Sequence, residues 1–324
     1  MGIVGAGQIV ENAHLPVLLN LPGVDVRWIT DANPRRAAVV SSMYGVPCSA
    51  AERLPALLSE VDVCLLATPV GARTQYLDLC AEAGRAVLAE KPFATTEAAH
   101  RSYCDRFPAH ALGVSFQRRF YASITAIRAI VEGRHFGDLQ SVGFAIGGFD
   151  LKSGGPTRYL GDPRLSGGGV VMDLGIHVLD QVLHVSGATD VEVRSVQSIF
   201  LDGLDFDAII ESTLHLEDRR IRVRGQVTRL RPIANELEFG FENGVVRFGL
   251  EPDAILTFVP RNEGAPLRLA PRVDGSTTVA QAFFQLWSTF VAGLHRHATT
   301  PASATTSVLT TRWVDRIYER MAGA

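Results

Sequence analysis

Residues 2–10 read Gly2-Ile3-Val4-Gly5-Ala6-Gly7-Gln8-Ile9-Val10: a short apolar strand, a turn with two glycines and the start of an apolar helix. This order builds a seat for a pyrophosphate, because Gly5 permits a tight turn and Gly7, without a Cβ, lets the backbone approach the phosphates. The start of the helix adds unpaired N–H groups and the positive end of the helix dipole. Val10 stands where a third glycine would aid close packing, which weakens the pattern. An ordinary strand–turn–helix unit is the alternative.

The length and composition of the chain predict two domains. It has 324 residues, 47% of them hydrophobic and 20% charged, and domains commonly hold about 100–200 residues. The formal net charge of -3 indicates no basic surface for nucleic acid or for an anionic membrane. No apolar run reaches the roughly 18 residues of a membrane span, and the N-terminus enters the first strand directly. We therefore expect neither a membrane segment nor a signal peptide.

The cysteines indicate a reduced compartment. Cys48, Cys64, Cys80 and Cys104 show none of the spacings of a metal site. Cys64 lies in an apolar run and is typical of a small buried side chain. We predict a cytoplasmic protein without a bound metal.

The second predicted strand, residues 24–31, ends on Asp31. An acidic residue roughly 20 positions beyond the glycines accepts hydrogen bonds from a ribose 2′-hydroxyl, and its charge disfavours the 2′-phosphate of NADP. Arg35 and Arg36 follow, and they could bind that phosphate instead or simply be solvated in the first turn of a helix over 35–44. The pattern favours NAD and leaves NADP open.

Two further buried strands end in candidate site residues. Residues 61–67 form an apolar run typical of a parallel strand buried on both faces, and Thr68-Pro69 follow at the edge where open α/β sheets bind ligands. Residues 86–89 form another short strand and deliver Glu90-Lys91-Pro92. Strand–helix alternation through this third of the chain predicts a doubly wound parallel sheet.

From about Leu139 the pattern changes to alternating strands. Alternation indicates antiparallel strands with one face solvated or covered by a partner, and Glu242-Asn243-Gly244-Val245 predicts a hairpin turn. A Gly- and Pro-rich loop lies at 152–164. The predicted strands are 142–146, 191–196, 208–216, 220–227 and 236–241, and the predicted helices near the C-terminus are 279–295 and 308–321.

The glycine run Gly167-Gly168-Gly169 precedes Asp173 and His177. On a helix, residues four apart lie on one face, and the glycines would let the start of that helix approach a cofactor or substrate closely. A histidine can move a proton near neutral pH. A lone histidine on an amphipathic helix is more often a packing or surface residue, and His184, roughly on the same face, is the natural comparison.

Three separated motifs resemble those of the Gfo/Idh/MocA oxidoreductases, the family of glucose–fructose oxidoreductase, inositol dehydrogenase and many sugar dehydrogenases. They are Glu90-Lys91-Pro92, Gly113-Val114-Ser115-Phe116-Gln117-Arg118-Arg119-Phe120 and the run from Gly167 to His177. The resemblance implies an N-terminal Rossmann domain, placed at 1–118. It also implies an α+β domain at 119–324 with a large, mainly antiparallel, open-faced sheet. It further implies a homodimer or homotetramer formed through that sheet, and a C-terminal helix able to pack on the first domain.

The resemblance also assigns roles to side chains. The family's catalytic Lys, Asp and His correspond to Lys91, Asp173 and His177, and its Lys–Pro bond is typically cis. An ammonium at Lys91 can hold the substrate oxygen, and His177 can move the hydroxyl proton. The assigned cofactor contacts are Gly5, Gly7, Gln8, Ile9, Asp31, Arg35, Thr68, Pro69, Glu90 and Lys91. The predicted substrate contacts are Lys91, Arg119, Asp173 and His177. Lys152, Arg158 and Tyr159 join them from the 152–164 loop, which precedes the Asp173/His177 helix; the alternative is that this loop is simply solvated.

The expected activity is hydride transfer between the nicotinamide of NAD(P) and a carbinol or ketone carbon of a sugar, cyclitol or sugar-like compound. A polyol or keto-sugar is then the partner, not a nucleic acid or a membrane. The same scaffold could instead retain NAD and perform net hydrolysis or epimerisation, or it could serve as a non-enzymatic nucleotide sensor.

The loop after residues 61–67 departs from the family pattern. The family often has Thr-Pro-Asn there and a histidine three residues after the Asn, and both help to seat the cofactor near its nicotinamide. Val70 and Arg73 take those places here. We expect cofactor binding to survive the change, and we expect Arg73 to be a solvated helix residue.

Overall fold

A computed structural model describes residues 1–150, 159–262, 264–271 and 275–323. The chain divides into two compact units. Unit 1 comprises Met1–Ala94, Ala98–Gln117 and Val279–Val308, and unit 2 comprises Thr95–Glu97, Arg118–Thr278 and Leu309–Ala324.

The strands and helices are numbered along the chain. The strands are β1 (Gly2–Val4), β2 (Trp28–Thr30), β3 (Val63–Leu66), β4 (Ala86–Ala89), β5 (Leu112–Val114), β6 (Leu139–Gly147), β7 (Asp190–Leu201), β8 (Leu204–His215), β9 (Arg220–Thr228), β10 (Glu236–Phe241), β11 (Gly244–Gly249), β12 (Leu256–Pro260) and β13 (Leu267–Leu269). The helices are α1 (Leu15–Leu18), α2 (Pro34–Tyr44), α3 (Leu54–Leu57), α4 (Thr74–Glu82), α5 (Glu97–Cys104), α6 (Ala122–Glu132), α7 (Pro163–Ser166), α8 (Ile176–Ser186), α9 (Val279–Arg296) and α10 (Val308–Ala322).

Unit 1 contains a parallel sheet with the strand order β2-β1-β3-β4-β5. Its strands are short and almost wholly buried, with Ile3 of β1 opposite Ile29 of β2 and Leu65 of β3. Helices in the intervening segments leave no strand face for water, which is why the strands read as apolar runs rather than as alternating ones. The predicted doubly wound parallel sheet is confirmed.

The first helix of unit 1 opens with a wide turn. Residues Val10–His14 form a π-helical turn that continues into α1. The turn begins at Val10, whose side chain is fully buried where the three-glycine pattern has no side chain at all. Val10, which replaces the third glycine, therefore coincides with a π-helical start to the helix. The turn at Gly5 and Gly7 lies before this start.

Unit 2 contains a larger sheet with the order β13-β12-β11-β10-β6-β9-β8-β7. Its pairs are antiparallel except for β6 with β9, which run parallel. The predicted hairpin joins β10 to β11, and Phe241 lies opposite Gly244. Along β9 the arginines at 220, 222 and 224 are exposed, whereas Ile221 and Val223 are buried. The predicted mainly antiparallel sheet with one open face is confirmed for the described strands.

The structure divides the chain differently from the predicted ranges 1–118 and 119–324. Residues 279–308 belong to unit 1. The reason is local: Trp287 of α9 donates a hydrogen bond to His14, and the Val114 N–H at the end of β5 donates to the Ala302 carbonyl. From Leu309 onward, α10 belongs to unit 2. Within the described residues, no helix combines the length and apolarity needed to cross a bilayer.

Candidate active site

The carboxyl ends of four neighbouring strands in unit 1 carry predicted cofactor residues. Asp31 follows β2, Gly5 to Gly7 follow β1, Thr68 follows β3, and Lys91 follows β4. Parallel strands end at the same edge and lie about 4.8 Å apart. The strand order therefore places these residues along one edge in the sequence Asp31, Gly5–Gly7, Thr68, Lys91.

The two glycines of the first turn meet different surroundings. Gly5 has a φ of +102°, and a Cβ there would lie 2.5 Å from the Ala67 carbonyl oxygen. Only glycine fits such a position. A Cβ on Gly7 would meet nothing within 4 Å, and Gln8 and Ile9 beside it are exposed. The turn is thus tight on its inner side and open on the side that would face a pyrophosphate.

Asp31 organises the β2 end of this edge. Its Oδ2 accepts a hydrogen bond of 2.7 Å from the Ala6 N–H, and its Oδ1 accepts one of 2.7 Å from the Asn33 N–H. Arg36 is engaged as well, because its Nε donates to the Ala6 carbonyl at 2.6 Å and its guanidinium pairs with Glu11. Arg35 is exposed at the start of α2. Of the two arginines that could meet a 2′-phosphate, Arg35 is the one not committed to the glycine turn.

The loop that carries Lys91 is fixed by a buried chain of hydrogen bonds. The Lys91–Pro92 peptide bond is cis, as the resemblance implied. The Lys91 N–H donates to Glu90 Oε2 at 3.1 Å, and Glu90 Oε1 lies 2.8 Å from His14 Nε2. The Trp287 indole N–H donates to His14 Nδ1 at 2.9 Å. An indole nitrogen can only donate, so His14 Nδ1 accepts and Nε2–H donates to Glu90.

Glu90 is held as a carboxylate in this chain. Burial, the largest influence, raises the pKa of the Glu90 carboxyl, but hydrogen bonds from His14 and Ser115 and the charge of Lys91 oppose it, and the net direction is downward. A buried carboxylate that accepts hydrogen bonds from two directions is a rigid anchor. Glu90, predicted as a cofactor contact, therefore anchors the Lys91 backbone from inside unit 1.

Arg73 is buried, so the prediction of a solvated side chain was wrong. The residue is 1% exposed. Its Nη1 donates to the Glu90 carbonyl at 2.6 Å, to the Phe93 carbonyl at 3.3 Å and also to the Pro92 carbonyl. Its Nη2 donates to the Thr68 carbonyl at 2.5 Å. Helical spacing could not reveal this, because Arg73 is the N-cap residue immediately before α4 and faces the strand ends rather than solvent.

In unit 2, Asp173 and His177 lie at the start of one helix. A π-helical turn over Val171–Gly175 contains Asp173, and α8 begins directly after it. His177 is 7% exposed. Asp173 pairs with the Arg229 guanidinium, a buried group just beyond β9. Sequence reasoning missed Arg229, since nothing near it in the chain marks it as a partner of an acidic residue.

Arg118 is a second cation close to Asp173. Burial lowers the pKa of the Arg118 guanidinium, while Tyr121 and the negative charge of Asp173 act in the opposite direction. Arg118 belongs to the predicted strand-to-loop motif, but the prediction singled out its neighbour Arg119. Asp173 therefore pairs with Arg229 and also acts electrostatically on Arg118, both in unit 2.

The glycine run makes room for protein groups, and the expected approach of the helix start to a cofactor or substrate stays a prediction. A Cβ on Gly168 would lie 2.2 Å from the Tyr318 hydroxyl, and one on Gly169 would lie 2.1 Å from the Asp205 carbonyl oxygen. The Gly169 and Val171 N–H groups donate to the Asp205 carboxylate at 2.7 and 2.8 Å. The start of the helix is thus capped from within unit 2.

Arg119 forms a buried pair within unit 2. Its Nε donates to Asp180 Oδ2 at 2.7 Å and its Nη2 to Oδ1 at 2.5 Å, while the Thr310 hydroxyl donates to the same Oδ1 at 2.9 Å. This geometry assigns Arg119 to packing of α8; its contact with substrate stays a prediction. Of the other predicted substrate contacts, Tyr159 is 51% exposed, and Lys152 and Arg158 lie outside the described residues.

His184 differs from His177 in its surroundings. The Arg128 guanidinium donates to His184 Nε2 at 3.1 Å. Burial, assisted by the charges of Arg119 and Arg128, lowers the pKa of His184 to about 3. His184 is therefore neutral at pH 7 and unsuited to moving protons there. Among the described residues, no cluster of His, Cys, Asp and Glu side chains is suited to a metal ion.

Known proteins resemble the chain in sequence and fold. Inositol 2-dehydrogenase of Rhizobium meliloti is 24% identical over 210 residues, 64% of this chain and 61% of the relative. UDP-N-acetylglucosamine 3-dehydrogenase of Acidithiobacillus ferrooxidans is 30% identical over 205 residues, 60% of this chain and 56% of the relative. The matched part thus spans less than two thirds of these relatives.

The fold comparison covers the whole chain. The crystal structure of an aldose–aldose oxidoreductase from Caulobacter crescentus superposes with a TM-score of 0.85, at 17% identity, over 100% of this chain and 97% of that one. Residues 1–115 match the oxidoreductase family with an NAD-binding Rossmann fold, and residues 124–247 match the GFO/IDH/MocA C-terminal domain. Together these matches show that the chain belongs to the Gfo/Idh/MocA oxidoreductase family.

Proposed function

We propose that this chain is an NAD(P)-dependent dehydrogenase or reductase that transfers hydride between nicotinamide and a carbinol or ketone carbon of a sugar, cyclitol or sugar-like compound. The observation that carries the proposal is the order Asp31, Gly5–Gly7, Thr68, Lys91 along one sheet edge. A dinucleotide along that edge meets a ribose partner, a pyrophosphate seat and a nicotinamide-side loop in turn. The relatives named inositol 2-dehydrogenase and UDP-N-acetylglucosamine 3-dehydrogenase support a polyol or sugar substrate.

The residues of unit 1 fit such a cofactor. The open side of Gly7, with Gln8 and Ile9 at the helix start, suits the pyrophosphate. Asp31 suits the ribose hydroxyls, so NAD is the proposed cofactor, and NADP binding would depend on Arg35. The Thr68 hydroxyl, with Pro69 next to it, has no hydrogen-bond partner among the described residues and suits the nicotinamide side.

The proposed chemistry divides among three side chains. Nicotinamide, when bound, supplies the hydride acceptor or donor. His177 takes the proton from the substrate hydroxyl or returns it to the carbonyl oxygen. The Lys91 ammonium stabilises negative charge on that oxygen, and Asp173, held on one side by Arg229, accepts a hydrogen bond from a substrate hydroxyl. Lys91 belongs to unit 1 and the other two to unit 2, so their action on one substrate is part of the proposal.

A screen tests this function. Sugars, cyclitols and their keto forms are incubated with NAD or NADP, and the absorbance of the reduced cofactor is followed. His177→Ala should lower kcat by about 10²-fold or more with nearly unchanged NAD binding, the size expected for a general acid–base. His184→Gln, a change on the same helix, should leave kcat nearly unchanged. Turnover of His177→Ala at the wild-type rate would overturn the proton role.

The same screen addresses the alternative of a retained cofactor. Enzyme prepared without added NAD would then interconvert or hydrolyse sugars with no net change in absorbance. Requirement for added NAD in every turnover favours the simple dehydrogenase. Absence of turnover with every compound, combined with tight NAD binding, would favour a nucleotide sensor.

A further inference from the structure

Arg73 ties together two loops at the candidate cofactor edge. Its guanidinium donates to the Thr68 carbonyl after β3 and to the Glu90, Pro92 and Phe93 carbonyls after β4. Three of these four carbonyls come from the segment that contains Lys91. The Arg73 side chain therefore hydrogen-bonds to the backbone before and after Lys91, the residue proposed to hold the substrate oxygen.

The other side of the same segment is held by Glu90. The Lys91 N–H donates to the Glu90 carboxylate, which His14 and Trp287 fix in turn. The backbone carbonyls around Lys91 thus accept hydrogen bonds from the Arg73 guanidinium, and the Lys91 N–H donates to the Glu90 carboxylate. With both faces of the backbone engaged, the starting direction of the Lys91 side chain is set by buried groups of unit 1.

The shape of the guanidinium suits this task. Arginine presents five N–H donors in a rigid plane and stays charged when buried, whereas lysine offers three donors on a flexible stem and a neutral histidine offers one. One planar group can therefore serve carbonyls from two loops at once. Lysine in its place would satisfy fewer of them, and methionine none.

We propose that Arg73 is the positioning residue for Lys91: it acts on catalysis through the 90–93 backbone and not by contact with cofactor or substrate. The inference rests on the proposed function, because it gives Arg73 a role in a step that Lys91 performs. In the family pattern stated above, this position instead helps to seat the cofactor. The two roles predict different losses when Arg73 is changed.

The test compares four variants with the wild type: Arg73→Met, Arg73→Lys, Lys91→Met and the double variant. We expect Arg73→Met to lower kcat by about 10²-fold, the effect of a misplacement near 1 Å, while KM and the Kd for NAD stay nearly unchanged. Arg73→Lys should recover part of the loss. The double variant should be no slower than Lys91→Met alone, since residues that act as a unit do not add.

Arg85→Met is the matched control. Arg85 also donates from unit 1 to a backbone carbonyl, that of Val61 at 3.1 Å, but at the opposite ends of β3 and β4. Its loss should change the thermal midpoint without changing kcat. If Arg73→Met and Arg85→Met lower the midpoint equally and neither changes kcat, Arg73 is only structural and the inference fails.

Two other outcomes separate the inference from the proposed function. An NAD Kd raised more than about tenfold in Arg73→Met, with kcat intact, would assign Arg73 to cofactor seating and overturn the inference alone. If the fold-reductions in kcat of Arg73→Met and Lys91→Met multiply in the double variant, the inference is also overturned. Unchanged kcat in Lys91→Met would instead overturn the role of Lys91, and with it the proposed mechanism.

Discussion

We expect the choice between NAD and NADP to depend on Asp31. Its two carboxylate oxygens already accept N–H groups of the glycine turn and of the α2 cap. A ribose hydroxyl would therefore bind to a carboxylate whose position is fixed in advance, and a 2′-phosphate would meet its charge. Arg35, exposed in the first turn of α2, is the positive charge available to bind that phosphate.

We predict that Asp31→Ala weakens NAD and raises the ratio of kcat/KM for NADP to that for NAD by about tenfold or more. The repulsion of the 2′-phosphate is lost, and Arg35 is left to bind it. Adding Arg35→Ala should remove most of the gain for NADP. Steady-state kinetics with both cofactors measure the ratio, and a ratio equal to that of the wild type would show that Asp31 does not contact the ribose.

His184 makes the stability of unit 2 depend on pH. Its folded-state pKa of about 3 lies below the ordinary value of 6.5. Between these values the unfolded chain binds a proton that the folded chain does not, so stability falls as pH drops from 6.5 toward 3. One such group contributes a slope of up to about 1.4 kcal/mol per pH unit.

His184→Gln should accordingly flatten the dependence of the free energy of unfolding on pH. Urea unfolding between about pH 7 and pH 5 measures it. The exposed His295 provides the control, because His295→Gln should keep the wild-type slope. Equal slopes in all three proteins would contradict the buried, neutral state of His184.

At the scale of elements, the helix that carries Asp173 and His177 is set in place at its first turn. The Tyr318 hydroxyl donates to Asp205 Oδ1 at 2.8 Å and accepts from the Gly169 and Met172 N–H groups at 3.1 and 3.2 Å. Burial and the charge of Asp205 raise the pKa of Tyr318 well above its usual value. The hydroxyl therefore stays protonated and keeps donating.

Tyr318→Phe should destabilise the chain by about 1–3 kcal/mol, because it removes the side-chain acceptor of the Met172 N–H and one of the donors to the buried Asp205 carboxylate. Tyr76→Phe removes a hydroxyl that makes no hydrogen bond within the described residues and should cost much less. Urea unfolding compares the two variants. A Tyr318→Phe midpoint equal to that of Tyr76→Phe would show that Asp205 alone caps the helix.

The elements show where sequence reasoning succeeds and where it stops. Runs such as 61–67 and the alternation in β9 predicted strands correctly, since burial on two faces or on one leaves a direct pattern in the chain. The glycine run at 167–169 predicted a close approach, but the approaching groups, Asp205 and Tyr318, come from distant segments. The burial of Arg73 and the pairing of Arg229 with Asp173 were not predicted for the same reason: these contacts are tertiary and leave no local signal in the sequence.

For the whole molecule, the division of the chain was the hardest feature to predict. The helical pattern of 279–295 gave α9 correctly. It could not show that α9 belongs to unit 1, because that follows from single contacts such as Trp287 with His14. The alternation of strands and helices predicted the parallel sheet, and the alternating residues after Leu139 predicted the mainly antiparallel one. The kinetic variants test the proposal that residues of the family motifs, Lys91 with Asp173 and His177, act on one substrate.

The open face of the unit 2 sheet is where we expect a second copy of the chain to bind. Strand register places Glu211, Arg224, Gly143, Glu238 and Arg247 in one row, where Arg224 faces Glu211 at 3.5 Å and Arg247 faces Glu238 at 2.5 Å. Because opposite charges pair across the row, the desolvation free energy of burying it under a second copy is smaller than for unpaired charges. Arg222 lies in the neighbouring row, opposite Thr213 and Ser141.

Arg222→Glu should raise the dissociation constant of the homo-oligomer by about tenfold or more, because it puts a like charge beside the acidic residues of the face on both copies. Analytical ultracentrifugation over a range of protein concentrations measures the constant. Arg53→Glu, an exposed change of the same charge in unit 1, should leave it unaltered and so separates a contact from a net-charge effect. A wild-type chain that stays monomeric at every concentration, or equal constants for the two variants, would contradict assembly through this sheet.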